Sequence, residues 1–349
     1  MAATKTQTGT RTGAVAAFRQ PYLEHGGREI TFFVLLGLAL ACVALLGDSW
    51  AAGWREIGEV LFSPDWEWFG VAVAGEILAY MGYTLAYREI VRVEGGPQLD
   101  LGHSAALVAS GFGVFIPRGG FAADLEALGE RCEDERDARI RVLGLGALEF
   151  AVLAPAACAC ALYLIFRGWK VQTGMTLPWA IAVPVGFLLA VWAIRHRTRF
   201  ANRRGWRAPL DHALHAVNVV RRLAESPRDH GVLAFLGMGL YWLGDIFVLW
   251  ACLRVFVGHN PSVPAVILGY ATGYALTRRS LPVGGAGAVE ALLPFALLWV
   301  AVPLAPAVLA VLFYRVINLW LPLIPALAGL RSVRRRHLRR GSARRRATV

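Results

Sequence analysis

Apolar residues along this chain come in runs of about 18 or more, the length that carries a helix through roughly 30 Å of hydrocarbon. Ile30 to Gly47 is the first run. It is followed by Trp66 to Val91, Ile140 to Phe166, Thr176 to Ile194 and His230 to Val257, and then by a nearly unbroken stretch from Ser262 to Leu330. The pattern predicts an all-α polytopic membrane protein of about eight transmembrane helices, or about seven if one segment turns back. It divides the chain into an N-terminal arm over 1–29, a single membrane domain over 30–330 with candidate halves at 66–194 and 230–330, and a tail over 331–349.

Two apolar segments fit a simple crossing poorly. Leu101 to Pro117 and Ser262 to Leu281 are glycine-rich and each is closed by a proline, which predicts re-entrant or broken helices. Irregular backbone at membrane depth is tolerated only where protein or a water-filled cavity satisfies its polar groups. An internal echo strengthens that expectation. The run beginning Ile116-Pro117-Arg118-Gly119-Gly120 returns as Leu281-Pro282-Val283-Gly284-Gly285, with Ala123 matching Ala288 and a carboxylate a few residues on, Glu126 and Glu290. Paired interruptions at corresponding places in two halves point to a midplane binding site. The competing reading is plain helix packing through small residues.

Composition agrees with the hydropathy. Hydrophobic residues make up 56% of the chain and charged residues 17%, against about a quarter charged in soluble domains. The net charge of +12 does not point to nucleic acid, because the basic residues crowd into the N-terminal arm (Lys5, Arg11, Arg19, Arg28), the loop from Arg195 to Arg228 and the tail from Arg331 to Arg346. That distribution places both termini in the cytoplasm of a multi-pass protein of the cell membrane. The stretch from Asp48 to Trp66 carries Asp48, Glu56, Glu59 and Asp65 against Arg55, which suits the outer side. No cleavage site follows the first apolar run, so it is expected to be retained as a helix.

Metal and cofactor chemistry find little support. Cys42, Cys132, Cys158, Cys160 and Cys252 lack the paired spacing of a zinc site. Asp211, His212 and His215 share a helical face, but the surrounding stretch Trp206 to Ala224 reads better as an amphipathic helix on the cytoplasmic surface. The tail run Arg334-Arg-Arg-His-Leu-Arg-Arg suits an anionic lipid surface.

Ionisable residues inside apolar runs carry the functional signal, since each costs a few kcal/mol in a spanning helix and faces a partner or a cavity. Glu76, Glu149, Asp245, Glu290 and Arg315 are of this kind, and Asp124 and Asn318 join them as candidates for substrate contact. Arg88 and Arg254 stand near helix ends, where snorkelling explains them. Arg118, Arg278 and Arg279 flank the two proline-glycine elements, and a guanidinium fork matches a lipid phosphate; the alternative for Arg278 and Arg279 is a cytoplasmic loop. If the last two helices turn back at Val302 to Pro306, Glu290 and Arg315 both lie about 18 to 20 Å from the turn. They are expected to pair or to share a polar cavity.

The run Leu281-Pro-Val-Gly-Gly-Ala-Gly-Ala-Val-Glu290-Ala, with Phe313-Tyr-Arg-Val-Ile-Asn-Leu-Trp-Leu-Pro322 after it, resembles the transmembrane flippase-type domain of the lysylphosphatidylglycerol synthase family. The Pro117-Arg-Gly-Gly element resembles the same family, whose pattern this chain leaves at Gly113 and Glu126. The resemblance implies handling of phospholipids or lipid-linked headgroups. Aminoacyl transfer in that family belongs to a separate soluble domain, and only Arg331 to Val349 follow the last apolar run here. The expectation is therefore a stand-alone member that moves an anionic phospholipid or lipid-linked substrate, with no catalysis and no cofactor of its own. A membrane-embedded enzyme acting on a lipid phosphate and a scaffold for a partner synthase are the alternatives. The first of these lacks paired carboxylates at metal spacing, a nucleophile beside a histidine, or a sizeable loop.

Overall fold

The computed structural model describes residues 27–62, 64–112, 120–129, 131–132, 135–168, 173–196, 208–225, 231–257, 260–275 and 285–326. Every regular element among them is helical, as the hydropathy predicts. Among the described residues, six helices are long and apolar enough to span a membrane. They are α1 (Gly27–Ala52), α3 (Glu67–Arg92), α6 (Glu135–Phe166), α7 (Thr173–Arg195), α9 (Val232–Val257) and the span Leu304–Ala326, which begins as α12 (Leu304–Arg315). Two shorter apolar helices cover Val263–Gly273 and Ala288–Trp299, and the expected count of about eight is reached only with them included. The first starts as α10 (Val263–Tyr270) and widens into a π turn at Ala271–Ala275; the second is α11 (Ala288–Trp299).

At the centre of the bundle stands an antiparallel pair, α3 and α9, whose backbones touch. A Cβ on Gly82 would lie 2.5 Å from the Tyr241 amide nitrogen and 2.6 Å from the Gly237 carbonyl; one on Gly244 would lie 2.6 Å from the Ala79 nitrogen and from the Gly75 carbonyl. Lipid gives helices no hydrophobic reason to associate, so close approach through small residues supplies the van der Waals contact that holds them. Gly75, Ala79, Gly82 and Ala86 form that stripe on α3, and Gly237 and Gly244 on α9. The remaining helices surround this pair, α12 on α9 and α11 on α12.

The rim is built from elements with one covered face. In α8 (Ala208–Glu225), Ala216, Val219 and Leu223 are buried at helical spacing against α6, while Arg221 and Glu225 pair in the open at 3.1 Å. That is the amphipathic helix expected around Trp206 to Ala224. The acidic stretch after α1 holds a short surface helix, α2 (Trp54–Leu61), with Arg55 and Glu59 paired on its exposed side. α7 leaves most of its apolar side chains uncovered, among them Ile181, Leu188 and Trp192, as a lipid-facing helix does.

Short helices occupy the two awkward segments and pack on the helices that follow them. α4 (Leu101–Phe112) packs on α5 (Gly120–Gly129), and α10 packs on α11. Gly120 opens α5, and Gly285 and Gly287, at φ 70° and 85°, lead into α11 with backbone angles that favour glycine. Pro117, Gly119, Pro282 and Gly284 lie outside the described residues.

Candidate functional site

The fixed α3–α9 contact brings two carboxylates near one another, because Glu76 follows Gly75 and Asp245 follows Gly244. Asp245 is fully buried and accepts hydrogen bonds from Tyr270, Tyr314 and Asn318. The Tyr270 hydroxyl donates to Oδ2 at 2.5 Å, the Tyr314 hydroxyl to Oδ1 at 2.9 Å, and Asn318 Nδ2 to Oδ1 at 2.6 Å. The same Asn318 nitrogen donates to Glu76 Oε2 at 3.2 Å. Hydrogen bonds to a carboxylate are among the stronger ones, and several together hold it where it stands.

The backbone supplies this convergence. Tyr270 is the last residue of α10 before its π turn, and α12 passes into a second π turn at Val316–Trp320 immediately after Arg315. Such widened turns gather at functional sites. Tyr314 and Asn318, four residues apart at this junction, both reach Asp245.

A second ion cluster lies on the other side of α12. Arg315 Nε donates to Glu290 Oε1 at 2.7 Å, with both side chains sealed from solvent. The Gly287 amide donates to Glu290 Oε2 at 2.8 Å, so the carboxylate also caps the start of α11. Neighbouring residues of α12 thus serve both clusters, Tyr314 on Asp245 and Arg315 on Glu290. Another buried carboxylate, Glu149 of α6, accepts from the Tyr83 hydroxyl at 2.8 Å. Its backbone carbonyl accepts from Trp242 Nε1 at 2.9 Å. Trp242 in turn stacks edge-on with Tyr270 at 5.9 Å, which joins the two regions through aromatic contact. Asp124 is buried on α5.

The structure therefore gathers Glu76, Asp245 and Asn318 into one network, sets Glu290 with Arg315 beside it, and holds Glu149 with Tyr83 in a separate group that Trp242 and Tyr270 connect to the network. Arg118, Arg278 and Arg279 fall outside the described residues. Arg254 does more than snorkel, for its guanidinium lies over the Trp68 ring at 4.9 Å from the centroid. The tyrosines that fix Asp245 and Glu149 are not legible in the sequence. A lone tyrosine in an apolar run looks like core packing, and only the helix partner shows where its hydroxyl goes. Cys158 and Cys252 are buried, Cys132 and Cys160 half-buried and Cys42 exposed, all as free thiols.

These features define a polytopic α-helical membrane domain that turns its ionisable side chains inward, onto one another and onto tyrosine and asparagine. Residues 33–326 match the family model described as Lysylphosphatidylglycerol synthase TM region. The chain belongs to that family, which makes it a membrane protein tied to lipid biology. No curated protein matches it.

Proposed function

We propose that this protein moves phospholipids or lipid-linked headgroups across the cell membrane, with both termini in the cytoplasm and without chemistry of its own. The observation that carries the reading is the buried network at Asp245. Four elements, α3, α9, α10 and the end of α12, send polar groups to one place in an apolar bundle. Buried polar groups among spanning helices are costly, and they mark substrate paths more than they stabilise a fold. The network lies on Gly-locked helices next to α10, which widens into a π turn, and interrupted spans of this kind tend to border substrate sites. Arg118, Arg278 and Arg279 are the proposed cationic contacts for an anionic phospholipid or lipid-linked substrate, and Glu76, Glu149, Asp124, Asp245, Asn318, Glu290 and Arg315 line its path.

Reconstitution in liposomes with labelled phosphatidylglycerol tests this reading. Transfer between leaflets without chemical change is expected. Chemical conversion of the lipid would support the membrane-embedded enzyme instead, and neither transfer nor conversion would leave a scaffold for a partner synthase.

A further inference from the structure

The end of α3 carries a charge cluster unrelated to the network at Asp245. Glu89 is fully buried, and its Oε1 accepts from Arg88 Nε at 2.8 Å and Nη2 at 2.6 Å; Arg92 Nη1 stands 3.6 Å from the same oxygen. The two arginine side chains remain 23% and 29% exposed. They sit one helical turn apart, so both guanidinium groups open on the same side of α3.

The ordinary duties of arginine at a helix end are already taken. Arg141 Nη1 donates to the Val91 and Val93 carbonyls at 2.6 Å each, closing the end of α3, and its Nε pairs with Asp137 at 3.0 Å. Gly96 leaves room for this, since a Cβ there would fall 2.3 Å from Arg141 Nη1. Arg88 and Arg92 are therefore not needed as caps. Nor do they simply reach for water, because both are drawn sideways onto a buried carboxylate. Both arginines keep part of their side chain exposed, and each fork has more N–H donors than its contact with Glu89 Oε1 takes up. The position is the terminal turn of a membrane span, the depth at which lipid headgroups lie.

We propose that Arg88 and Arg92, posed by Glu89, form a binding subsite for a phosphate monoester or diester at the end of α3. Paired guanidinium forks match phosphate oxygens in geometry as well as charge. The ligand is a phospholipid headgroup or free phosphate, which share that chemistry. Glu89 acts as a positioning residue, keeping the forks from folding away.

The inference rests on the proposed handling of phospholipid, but its test is equilibrium binding. It can therefore stand even if the wild-type protein moves no lipid. Full-length protein in nanodiscs is titrated with labelled phosphatidylglycerol and, separately, phosphatidylcholine, with inorganic phosphate as competitor. The double variant Arg88→Gln/Arg92→Gln is expected to lose about tenfold in preference for phosphatidylglycerol, and Arg88→Lys/Arg92→Lys, which keeps the charge without the fork, about threefold. Displacement by inorganic phosphate would identify the bare anion as sufficient; resistance to it would identify the lipid as ligand. If the glutamine pair elutes and unfolds as the wild type does and still prefers phosphatidylglycerol to the same degree, the subsite does not exist. Should the glutamine pair fail to fold, an undiminished preference in the lysine pair overturns the subsite equally.

Discussion

Glu290 and Arg315 meet at 2.7 Å with almost no solvent access, and the other oxygen of that carboxylate accepts from the Gly287 amide. The pair joins the start of α11 to the end of α12. It thereby fixes the position from which Tyr314 and Asn318 reach Asp245.

Removing one partner should expose the value of this arrangement. Glu290→Gln leaves a guanidinium uncompensated in low dielectric, and the expected loss is about 3–5 kcal/mol. Replacing both, as Glu290→Leu with Arg315→Met, should recover most of it. Thermal unfolding in detergent measures both, and lipid transfer by the recovered double variant then separates a structural pair from a functional one. Wild-type transfer would remove these two residues from the proposed path.

The tyrosines around Asp245 make a second test. Tyr270→Phe and Tyr314→Phe each delete one donor without changing packing, at about 1–3 kcal/mol per bond to a charged acceptor. Their shared acceptor predicts that the double variant departs from additivity by about 0.5 kcal/mol or more, which a double-mutant cycle reads. Strict additivity would mean that the two hydroxyls do not act on one group.

Contact between α3 and α9 leaves no space for a methyl group. Gly82→Ala and Gly244→Ala should each lower stability by about 1–3 kcal/mol through overpacking and should impair lipid transfer by shifting Glu76 from Asp245. Gly58→Ala on the surface helix α2, where nothing lies within 4 Å of the added atom, should instead stabilise by about 0.5–1 kcal/mol. Equal effects at the three sites would contradict the backbone contact.

Cys132 lies in the connection before α6, and its thiol is pushed up to about 11, first by burial and then by the Asp137 carboxylate. Only the thiolate reacts with maleimide. A variant retaining Cys132 alone should therefore label slowly at neutral pH and accelerate tenfold per pH unit until the pH nears that value. Asp137→Asn should move the acceleration to lower pH. Rapid labelling at pH 7 would show that the thiol is open and unperturbed.

Much of this protein can be read without coordinates. The apolar runs of α1, α3, α6, α7 and α9 declare themselves, because length and hydropathy are local quantities. Charges inside those runs are equally visible, and simple counting from the α11–α12 turn matches Glu290 to Arg315, since both residues lie on consecutive helices with a short connection. Counting fails at the short helices. The stretch from Ser262 to Leu281 reads as an interrupted segment, but nothing in its hydropathy marks where the interruption falls, and α10 passes into a π turn at Ala271. There Gly273 lies so close to α11 that a Cβ would fall 2.7 Å from the Leu293 Cα.

Class, spans, an amphipathic surface helix and the buried charges follow from the order of residues alone, for the bilayer imposes the same length and polarity on every crossing helix. The choice of neighbours does not follow from it. Hydropathy is alike on all apolar faces, and helices in lipid are selected by how closely their small residues let them approach. Only the folded bundle sets Glu76 and Asn318 within hydrogen-bonding reach across 242 positions of sequence, turns Tyr270 and Tyr314 onto Asp245, and gives Arg88 and Arg92 a buried carboxylate to lean on.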